Sequence, residues 1–218
     1  MENKIKEKLV EIPINSKSIE GDLSIPEGAE GIVLFAHGAG SSRHSSRNNF
    51  VADELQSVEL ATLLIDLLTE DEKEIDRQTR QIRFDIDRLS KRVVTTVDWL
   101  IKNQDTKDMK TGVFGSSTGA AGALIAAAKR PEIVQTVVSR GGRVDLADKY
   151  LNQIEAPVMC IVGGKDLQVL TLNQQAIKKM ESDAELKVIE GAGHLFEEPG
   201  ALEEVARITR TWFQKFLT

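Results

Sequence analysis

Short apolar runs alternate along this chain with segments of helical period, and this alternation restricts the fold more than any other feature. Apolar runs such as Gly31–Ala36 and Leu60–Ile65 are typical of strands that are covered on both faces. Between such runs, apolar residues recur at spacings of three and four, which is typical of helices with one buried face. The pattern predicts an α/β architecture with a largely parallel sheet. Further strands are predicted at Gly112–Phe114, Val134–Ser139, Val158–Val162 and Leu186–Ile189.

The N-terminal part differs, because two predicted strands follow each other directly. Lys8–Ile14 and Ser18–Ile25 flank the polar segment Asn15-Ser16-Lys17, which favours an antiparallel hairpin. About eight strands are therefore expected, most of them parallel. Helices are predicted at Asn49–Val58, Gln78–Ile101, Thr118–Ala128 and Thr171–Met180, and a closing helix carries the apolar stripe Leu202, Val205, Ile208, Trp212 and Phe216. The acidic stretch between residues 67 and 76 is interpreted as a solvated loop or the start of a helix.

Composition restricts the size and the partners of the protein. The 218 residues are 41% hydrophobic and 28% charged, which suits one globular domain over residues 1–218. A net charge of −6 gives no basic excess for a phosphate backbone, so nucleic acid is not an expected partner. No apolar run approaches the roughly 20 residues of a membrane span, and the N-terminus lacks a signal-peptide pattern. Since Cys160 is the only cysteine, no intrachain disulfide can form, and together these absences predict a cytoplasmic protein with no membrane partner.

The pentapeptide Gly115-Ser116-Ser117-Thr118-Gly119 matches the pattern G-x-S-x-G. It follows a predicted strand and opens a predicted helix, which is the setting of a nucleophile elbow, a sharp turn whose neighbours must be small. Ser117 is the predicted nucleophile, and the helix N-terminus would direct free N–H groups toward the reaction centre. A glycine-rich turn without a catalytic role is the alternative interpretation.

A serine hydroxyl needs a neighbouring base to act as a nucleophile near neutral pH. Among three histidines, His194 follows the last predicted strand in a loop of small residues, which would let it reach the serine. Asp166 follows the preceding strand and is the predicted acid that orients the imidazole. The chain order Ser117, Asp166, His194 is the order expected for this arrangement. A helix-capping role for Asp166 and an acid role for Asp145 are the alternatives.

Acyl transfer builds an oxyanion, which two backbone N–H groups can stabilise. One donor is expected from Thr118, the residue after the nucleophile. The segment FAHGAGSS follows the third predicted strand, and the second donor is expected there, from Ala39. His37 in the same segment is interpreted as a structural residue that fixes the loop.

These four motifs agree in type, order and setting, and with them the chain resembles the α/β-hydrolase superfamily. The segments HGAGSSRHSSRNNF, FGSSTGAAGAL, VVSRGG, IVGGKD and GAGHLFEEPG carry a resemblance to small cap-less hydrolases of the dienelactone hydrolase-like branch. The resemblance implies an α/β-hydrolase fold with helices on both faces of the sheet and no cap domain. It also implies hydrolysis of small acyl esters with neither metal nor organic cofactor. Dienelactone hydrolase itself uses a cysteine nucleophile, whereas Ser117 occupies that position here and Cys160 lies within a predicted strand.

Two groups of arginines are expected near the carboxyl edge of the sheet, where ligands bind in open α/β folds. Arg43 and Arg47 follow the oxyanion segment. Arg140 and Arg143 follow the strand after the elbow helix. A guanidinium can bind a carboxylate or phosphate at two points, so Arg43, Arg47 and Arg140 are candidate substrate-binding residues and an anionic ester is a candidate substrate. Ion pairs with acidic residues, for example Glu197 or Glu198, are the alternative.

The predicted triad is compatible with several functions. A peptidase, a thioesterase or an acyltransferase could use the same three residues, and a binding protein can keep the fold without catalysis. Such binding proteins usually lose a member of the triad, whereas all three candidates are present here. Ester hydrolysis through an acyl-enzyme on Ser117 is therefore the leading hypothesis.

Overall fold

The structure is a computed structural model that describes residues 4–218. Its strands are β1 (Ile5–Ile14), β2 (Lys17–Pro26), β3 (Gly31–Ala36), β4 (Leu60–Ile65), β5 (Lys110–Ser116), β6 (Val134–Arg140), β7 (Val158–Gly163) and β8 (Ala184–Ile189). The α-helices are α1 (Ser46–Gln56), α2 (Glu70–Thr79), α3 (Ile86–Leu100), α4 (Thr118–Lys129), α5 (Leu167–Ile177) and α6 (Ala201–Leu217). Two 3-10 helical segments, Ile82–Phe84 and Val144–Gln153, complete these elements.

All eight strands belong to one sheet with the order β1-β2-β4-β3-β5-β6-β7-β8. The pairs β1–β2 and β2–β4 are antiparallel, and the remaining pairs are parallel. The predicted fold class, a mostly parallel sheet of about eight strands, is confirmed. The central strands β3 and β5 end side by side, since Ala36 pairs with Gly115, and this places the two predicted loops of the site next to each other.

Helices cover both faces of the sheet, as predicted. On one face, Val93 of α3 and Leu124 of α4 belong to an apolar cluster that also includes Ile32 and Val113 from the sheet. On the other face, α1 and α6 pack against Phe35 of β3 and against its neighbours in β5. Burial on both sides explains why the central strands are continuous apolar runs in the sequence.

The N-terminal hairpin is confirmed with a shorter turn than predicted. Lys17 already pairs with Ile14, so only Asn15 and Ser16 connect β1 to β2. Asn15 has a φ of 55°, a left-handed conformation that asparagine tolerates better than most residues.

The single long helix predicted over Gln78–Ile101 is wrong, because the chain forms two helices there. Helix α2 ends where Arg80 adopts a left-handed φ of 55°. Helix α3 starts anew after Asp85, whose side chain accepts the N–H of Arg88. The 3-10 segment between them keeps nearly the same repeat of apolar residues, so periodicity alone did not reveal the break.

The acidic stretch before this break forms most of α2, so the interpretation as the start of a helix is confirmed. Thr69 and Glu72 form a capping box in which each side chain accepts the backbone N–H of the other. Helices α1 and α5 begin earlier than predicted, at Ser46 and Leu167. In α1 the reason is Ser45, whose side chain accepts the N–H of Asn48.

The connections that follow the parallel strands consist of loops, helices and 3-10 segments that pack on the sheet. Within residues 4–218 no separate cap domain is inserted, and the longest connection carries α2 and α3 between β4 and β5. Within the same residues, no helix has the length and apolar character needed to span a membrane.

Candidate active site

Ser117 lies at the sharp turn between β5 and α4. Its backbone has φ 50° and ψ −121°, a region that residues with a side chain rarely adopt. The turn is held from the neighbouring strand, because the Ser117 N–H donates to the carbonyl of Arg140 at 3.1 Å and the Arg143 N–H donates to the Ser117 carbonyl at 3.0 Å. Such strain persists only where the surroundings fix it, and the strand–turn–helix geometry is the one that the pentapeptide predicts.

Two glycines make this turn possible. A Cβ at Gly115 would lie 2.4 Å from Cα of Ala120, and a Cβ at Gly119 would lie 2.3 Å from the carbonyl oxygen of Ala36. Both contacts are with backbone atoms that cannot move aside cheaply. The start of α4 therefore packs directly against the end of β3.

The predicted base and acid form a pair. Nδ1 of His194 lies 2.6 Å from Oδ2 of Asp166. With the proton on Nδ1, the other ring nitrogen, Nε2, is left as the acceptor that a general base requires. Asp166 precedes α5 but makes no capping hydrogen bond, so the capping alternative is not realised. Asp145 pairs instead with Arg143, through contacts of 2.9 and 2.8 Å.

The loop that carries His194 lies over the end of β6. A Cβ at Gly141 would lie 3.5 Å from Nδ1 of the imidazole. Gly141 directly follows Arg140, whose carbonyl accepts the Ser117 N–H. Among the hydrogen bonds of residues 4–218, none joins Ser117 Oγ to His194. Catalytic hydrogen bonds are often long or unformed in ligand-free active sites, so this absence does not contradict the predicted pairing of the two side chains.

Glu198 holds the histidine loop, a role that is not predicted from the sequence. Its Oε1 accepts the N–H of Gly193, the residue before His194, at 3.0 Å. This bond is the main cause of the lowered pKa of Glu198. The signal in the sequence is a glutamate shortly after the histidine in GAGHLFEEPG, and the role expected for it there is an ion pair.

The two predicted oxyanion residues lie beside each other. Thr118 is the first residue of α4, so its N–H has no acceptor within the helix. Gly38 brings the second loop close, since a Cβ there would lie 3.0 Å from Cβ of Ser117. The N–H of Ala39 donates to the Thr118 hydroxyl at 2.8 Å. A substrate oxyanion would have to replace this hydroxyl as the acceptor, a feature that the G-x-S-x-G pattern does not specify.

His37 has the structural role that the sequence predicts. The ring is buried, its Nδ1–H donates to the carbonyl of Gly38 at 2.8 Å, and its Nε2 accepts the N–H of Leu67 at 3.1 Å. Burial lowers the pKa of His37, which keeps the ring neutral. The ring thus ties the oxyanion loop to the end of β4.

Arg43 is occupied by ion pairs. Its guanidinium contacts Glu20 at 2.8 Å, Asp22 at 3.2 Å and the buried carboxylate of Asp66. Lys73 also contacts Asp66, at 2.9 Å. Burial by itself would raise the pKa of Asp66, but the hydrogen bonds from Lys73 and Arg43 hold it below its usual range. This network favours a structural role for Arg43 over the substrate-binding role that the sequence suggests.

Arg140 and Arg47 are placed differently from Arg43. Arg140 is 8% exposed, and neither its Nη1 nor the buried Nε of Arg47 has a hydrogen-bond partner among residues 4–218. The ion pair that Arg47 makes, with Glu197 at 3.4 Å, is long and lies at the surface. Burial, together with the charge of Arg47, lowers the pKa of Arg140 to about 10, so the guanidinium remains charged at neutral pH.

Cys160 is buried within β7. Burial raises the pKa of its thiol to about 12, so it stays protonated and inert at neutral pH. Among the described residues, no group of three or more histidine, cysteine and acidic side chains is arranged to hold a metal ion.

The sheet order, the helices on both of its faces and the serine at a strained strand-to-helix turn define an α/β-hydrolase fold. Comparison with known families is more specific. The chain belongs to the dienelactone hydrolase family, whose model matches residues 19–217.

Solved structures agree with this assignment. The crystal structure of a dienelactone hydrolase from Anabaena variabilis shares 52% identity with this chain, covers 98% of it over 99% of its own length, and superposes with a TM-score of 0.96. Est1E from Butyrivibrio proteoclasticus superposes with a TM-score of 0.79 over 95% of this chain and 98% of its own. At 15% identity, Est1E shows the shared fold alone.

Curated relatives come from two strains of Mycobacterium tuberculosis and carry the name "Putative phosphoribosyl transferase". They are 46% identical over 209 residues, which cover 96% of this chain and 46% of the relative. The chain thus spans about half the length of these relatives, and their name describes the longer protein.

Proposed function

We propose that this hydrolase cleaves carboxylic esters of small acyl compounds through an acyl-enzyme on Ser117. The observation that carries the proposal is the positive φ of Ser117 at the turn between β5 and α4. Strained conformations of this kind cluster at functional sites, and an elbow of this type presents the serine Oγ at the carboxyl edge of the sheet.

The first half of the proposed reaction forms the acyl-enzyme. Ser117 Oγ attacks the ester carbonyl carbon while its proton passes to Nε2 of His194. The N–H groups of Thr118 and Ala39 stabilise the oxyanion that develops, the latter after exchanging its bond to the Thr118 hydroxyl. The C–O bond to the alcohol then breaks, and the imidazolium returns the proton to the leaving oxygen.

The second half hydrolyses the acyl-enzyme. His194 takes a proton from a water molecule, which attacks the acyl carbonyl and forms a second oxyanion in the same place. Collapse of this intermediate releases the carboxylic acid and returns the proton to Ser117. Throughout both halves, Asp166 accepts the Nδ1–H of His194 and stabilises the imidazolium.

Related acyl chemistries share the first half of this scheme. A thioesterase or peptidase differs in the leaving group, and an acyltransferase differs in the nucleophile that takes the acyl group from Ser117. The transferase name of the mycobacterial relatives belongs to proteins more than twice as long as the matched region, so it does not assign that activity to this chain.

Labelling with a fluorophosphonate probe tests the nucleophile directly. The wild-type protein and Ser116→Ala are expected to gain one covalent adduct, located by peptide mass spectrometry, and Ser117→Ala is expected to gain none. Ser116 is the matched control, because it is the adjacent serine and is buried at the end of β5. An adduct that persists in Ser117→Ala would place the nucleophile elsewhere.

A panel of p-nitrophenyl esters, matched thioesters and anilides then tests the substrate class. The expected order of kcat/KM is ester first, with the anilide far behind. A higher kcat/KM for the thioester or the anilide would replace ester hydrolysis with one of the related chemistries.

A further inference from the structure

The side chains of Arg140 and Arg47 converge on one face of the sheet beside the proposed nucleophile. Arg140 is the last residue of β6, and its carbonyl accepts the Ser117 N–H. Side chains alternate along a strand, so Arg140 projects to the same face as Val138, which belongs to the cluster formed with α1 and α6. Arg47 lies in the first turn of α1 on that face.

The positive charge of this pair is only weakly compensated, through one surface contact of Arg47. Arg140 is more than nine-tenths buried, and its Nη1 donates to no acceptor in residues 4–218. The charge of Arg47, which is also positive, adds to burial in lowering the pKa of Arg140. Arg47 has a buried Nε that lacks an acceptor in the same part of the chain, and its carboxylate contact is the long one to Glu197.

A buried guanidinium without an acceptor is costly to the folded protein. Arg47 adds to that cost, because its charge repels that of Arg140 and its own buried Nε lacks an acceptor among residues 4–218. An anion placed between them would satisfy the free donors and remove the repulsion, and a guanidinium can bind a carboxylate or a phosphate at two points. The cost to the ligand-free protein is thus explained if an anionic ligand is bound during function.

We propose that Arg140 and Arg47 form a subsite for an anionic group of the substrate, either a carboxylate or a phosphate. This group would be carried on the part of the substrate that lies next to Ser117. This inference rests on the proposed ester hydrolysis for the identity of the substrate. The anion site itself is independent of catalysis and can be measured without turnover.

The binding experiment uses the inactive Ser117→Ala protein. Its melting temperature is measured against increasing concentrations of succinate and, separately, of inorganic phosphate, at constant ionic strength. We expect a saturable increase with at least one of the two anions, and the more effective one identifies the chemistry of the ligand. Adding Arg140→Gln is expected to abolish the increase, and adding Arg47→Gln is expected to weaken it. The control is Arg207→Gln, which removes an exposed arginine of α6 and should leave the increase intact.

The stability of the ligand-free protein supplies a second readout. Arg140→Met removes the uncompensated charge and keeps most of the volume, so it is expected to raise the melting temperature in a buffer without multivalent or carboxylate anions. If Arg140 had only a structural role, Arg140→Met would lower the melting temperature. A lower melting temperature in Arg140→Met, together with an anion-dependent increase that persists in Arg140→Gln, would contradict the proposed subsite.

Turnover provides the link to catalysis. For p-nitrophenyl butyrate and mono-p-nitrophenyl succinate, the wild-type protein should favour the anionic ester in kcat/KM by at least about ten-fold, the value of one charge-assisted hydrogen bond. Arg140→Gln should remove most of this ratio, and Arg207→Gln should keep it. Equal kcat/KM for both esters, with no anion response in the melting experiment, overturns the inference. If neither ester is cleaved but the anion response depends on Arg140, the subsite stands and the proposed esterase function fails.

Discussion

Two regions along one edge of the sheet differ in whether their buried polar groups have hydrogen-bond or ion-pair partners. After β4, the carboxylate of Asp66 contacts Arg43 and Lys73, and both ring nitrogens of His37 bind the backbone. At the end of β6, Nη1 of Arg140 has no hydrogen-bond partner among residues 4–218, and the same holds for the buried Nε of Arg47. The first region holds the loops in place, whereas the second contains the donors of the proposed anion subsite. Both regions contain arginines near the carboxyl edge of the sheet, so residue type and position do not distinguish them. What distinguishes them is whether each polar group has a partner.

The largest expected effect comes from removing a charge in the second region. Asp166→Asn removes the carboxylate that orients His194, so kcat for a p-nitrophenyl ester should fall by ~10⁴, as it does for the corresponding change in serine proteases. The urea midpoint should change little, because Asp166 caps no helix.

Asp145→Asn is the matched control for this change. Asp145 binds Arg143 and does not contact the base, so its loss should leave kcat within a few-fold of wild type. A large loss of kcat in Asp145→Asn, together with a mild one in Asp166→Asn, would exchange the roles of the two carboxylates.

The same substitution in the first region should affect stability. Asp66→Asn removes the buried carboxylate that binds Arg43 and Lys73, and breaking a buried pair in this way typically costs about 3–5 kcal/mol of the free energy of unfolding. Urea unfolding at pH 7 measures it, with the exposed Asp108→Asn as control. A loss as small as that of the control would show that the network contributes little.

The lowered pKa of Asp66 predicts how this contribution depends on acid. The folded state binds the proton less readily than the unfolded state, so the stabilisation is complete above the ordinary carboxyl range. It should be lost as the pH falls below about 4 toward the lower pKa of the folded state. The difference in unfolding free energy between wild type and Asp66→Asn should therefore shrink on acidification.

A comparison of Arg43→Met with Arg140→Met tests the contrast between the two regions most directly. Arg43→Met leaves Asp66 with one cation fewer and should lower the free energy of unfolding by about 1–3 kcal/mol. Arg140→Met should raise it, since the lost charge had no partner. Changes of the same sign in both variants, measured in the same urea series, would remove the distinction between the regions.

The smallest expected effect concerns His37. Its folded pKa is lowered by burial, so the unfolded state binds more protons once the pH falls below the ordinary histidine value of ~6.5. This residue should therefore make the protein less stable at pH 5 than at pH 7.5. His37→Gln should show a smaller decrease between these two pH values, while the other histidines contribute equally to both proteins. An unchanged decrease would indicate that the buried ring is protonated in the fold.

Much of the fold and of the candidate site could be predicted because both depend on local patterns. The apolar runs of β3 and β4 are long enough to specify buried strands with their observed ends. The turn at Ser117 requires small neighbours, which Gly115 and Gly119 supply, so a five-residue motif sufficed to locate it. The break after α2 was missed, since it depends on the left-handed conformation of Arg80 and on a new cap at Asp85.

The sequence by itself determined the class of fold, the position of the elbow and the order of the three candidate catalytic residues, because periodicity, glycine content and chain order are local or sequential properties. Only the tertiary structure decided which carboxylate faces His194, that the Thr118 hydroxyl binds the Ala39 N–H, and which arginines lack partners. Those facts depend on contacts between residues far apart in the chain. In the sequence, Arg43 and Arg140 are equally plausible substrate-binding residues. Three acidic groups surround Arg43, whereas Nη1 of Arg140 has no acceptor within residues 4–218, and both facts arise from how β2, β4 and β6 meet the loops.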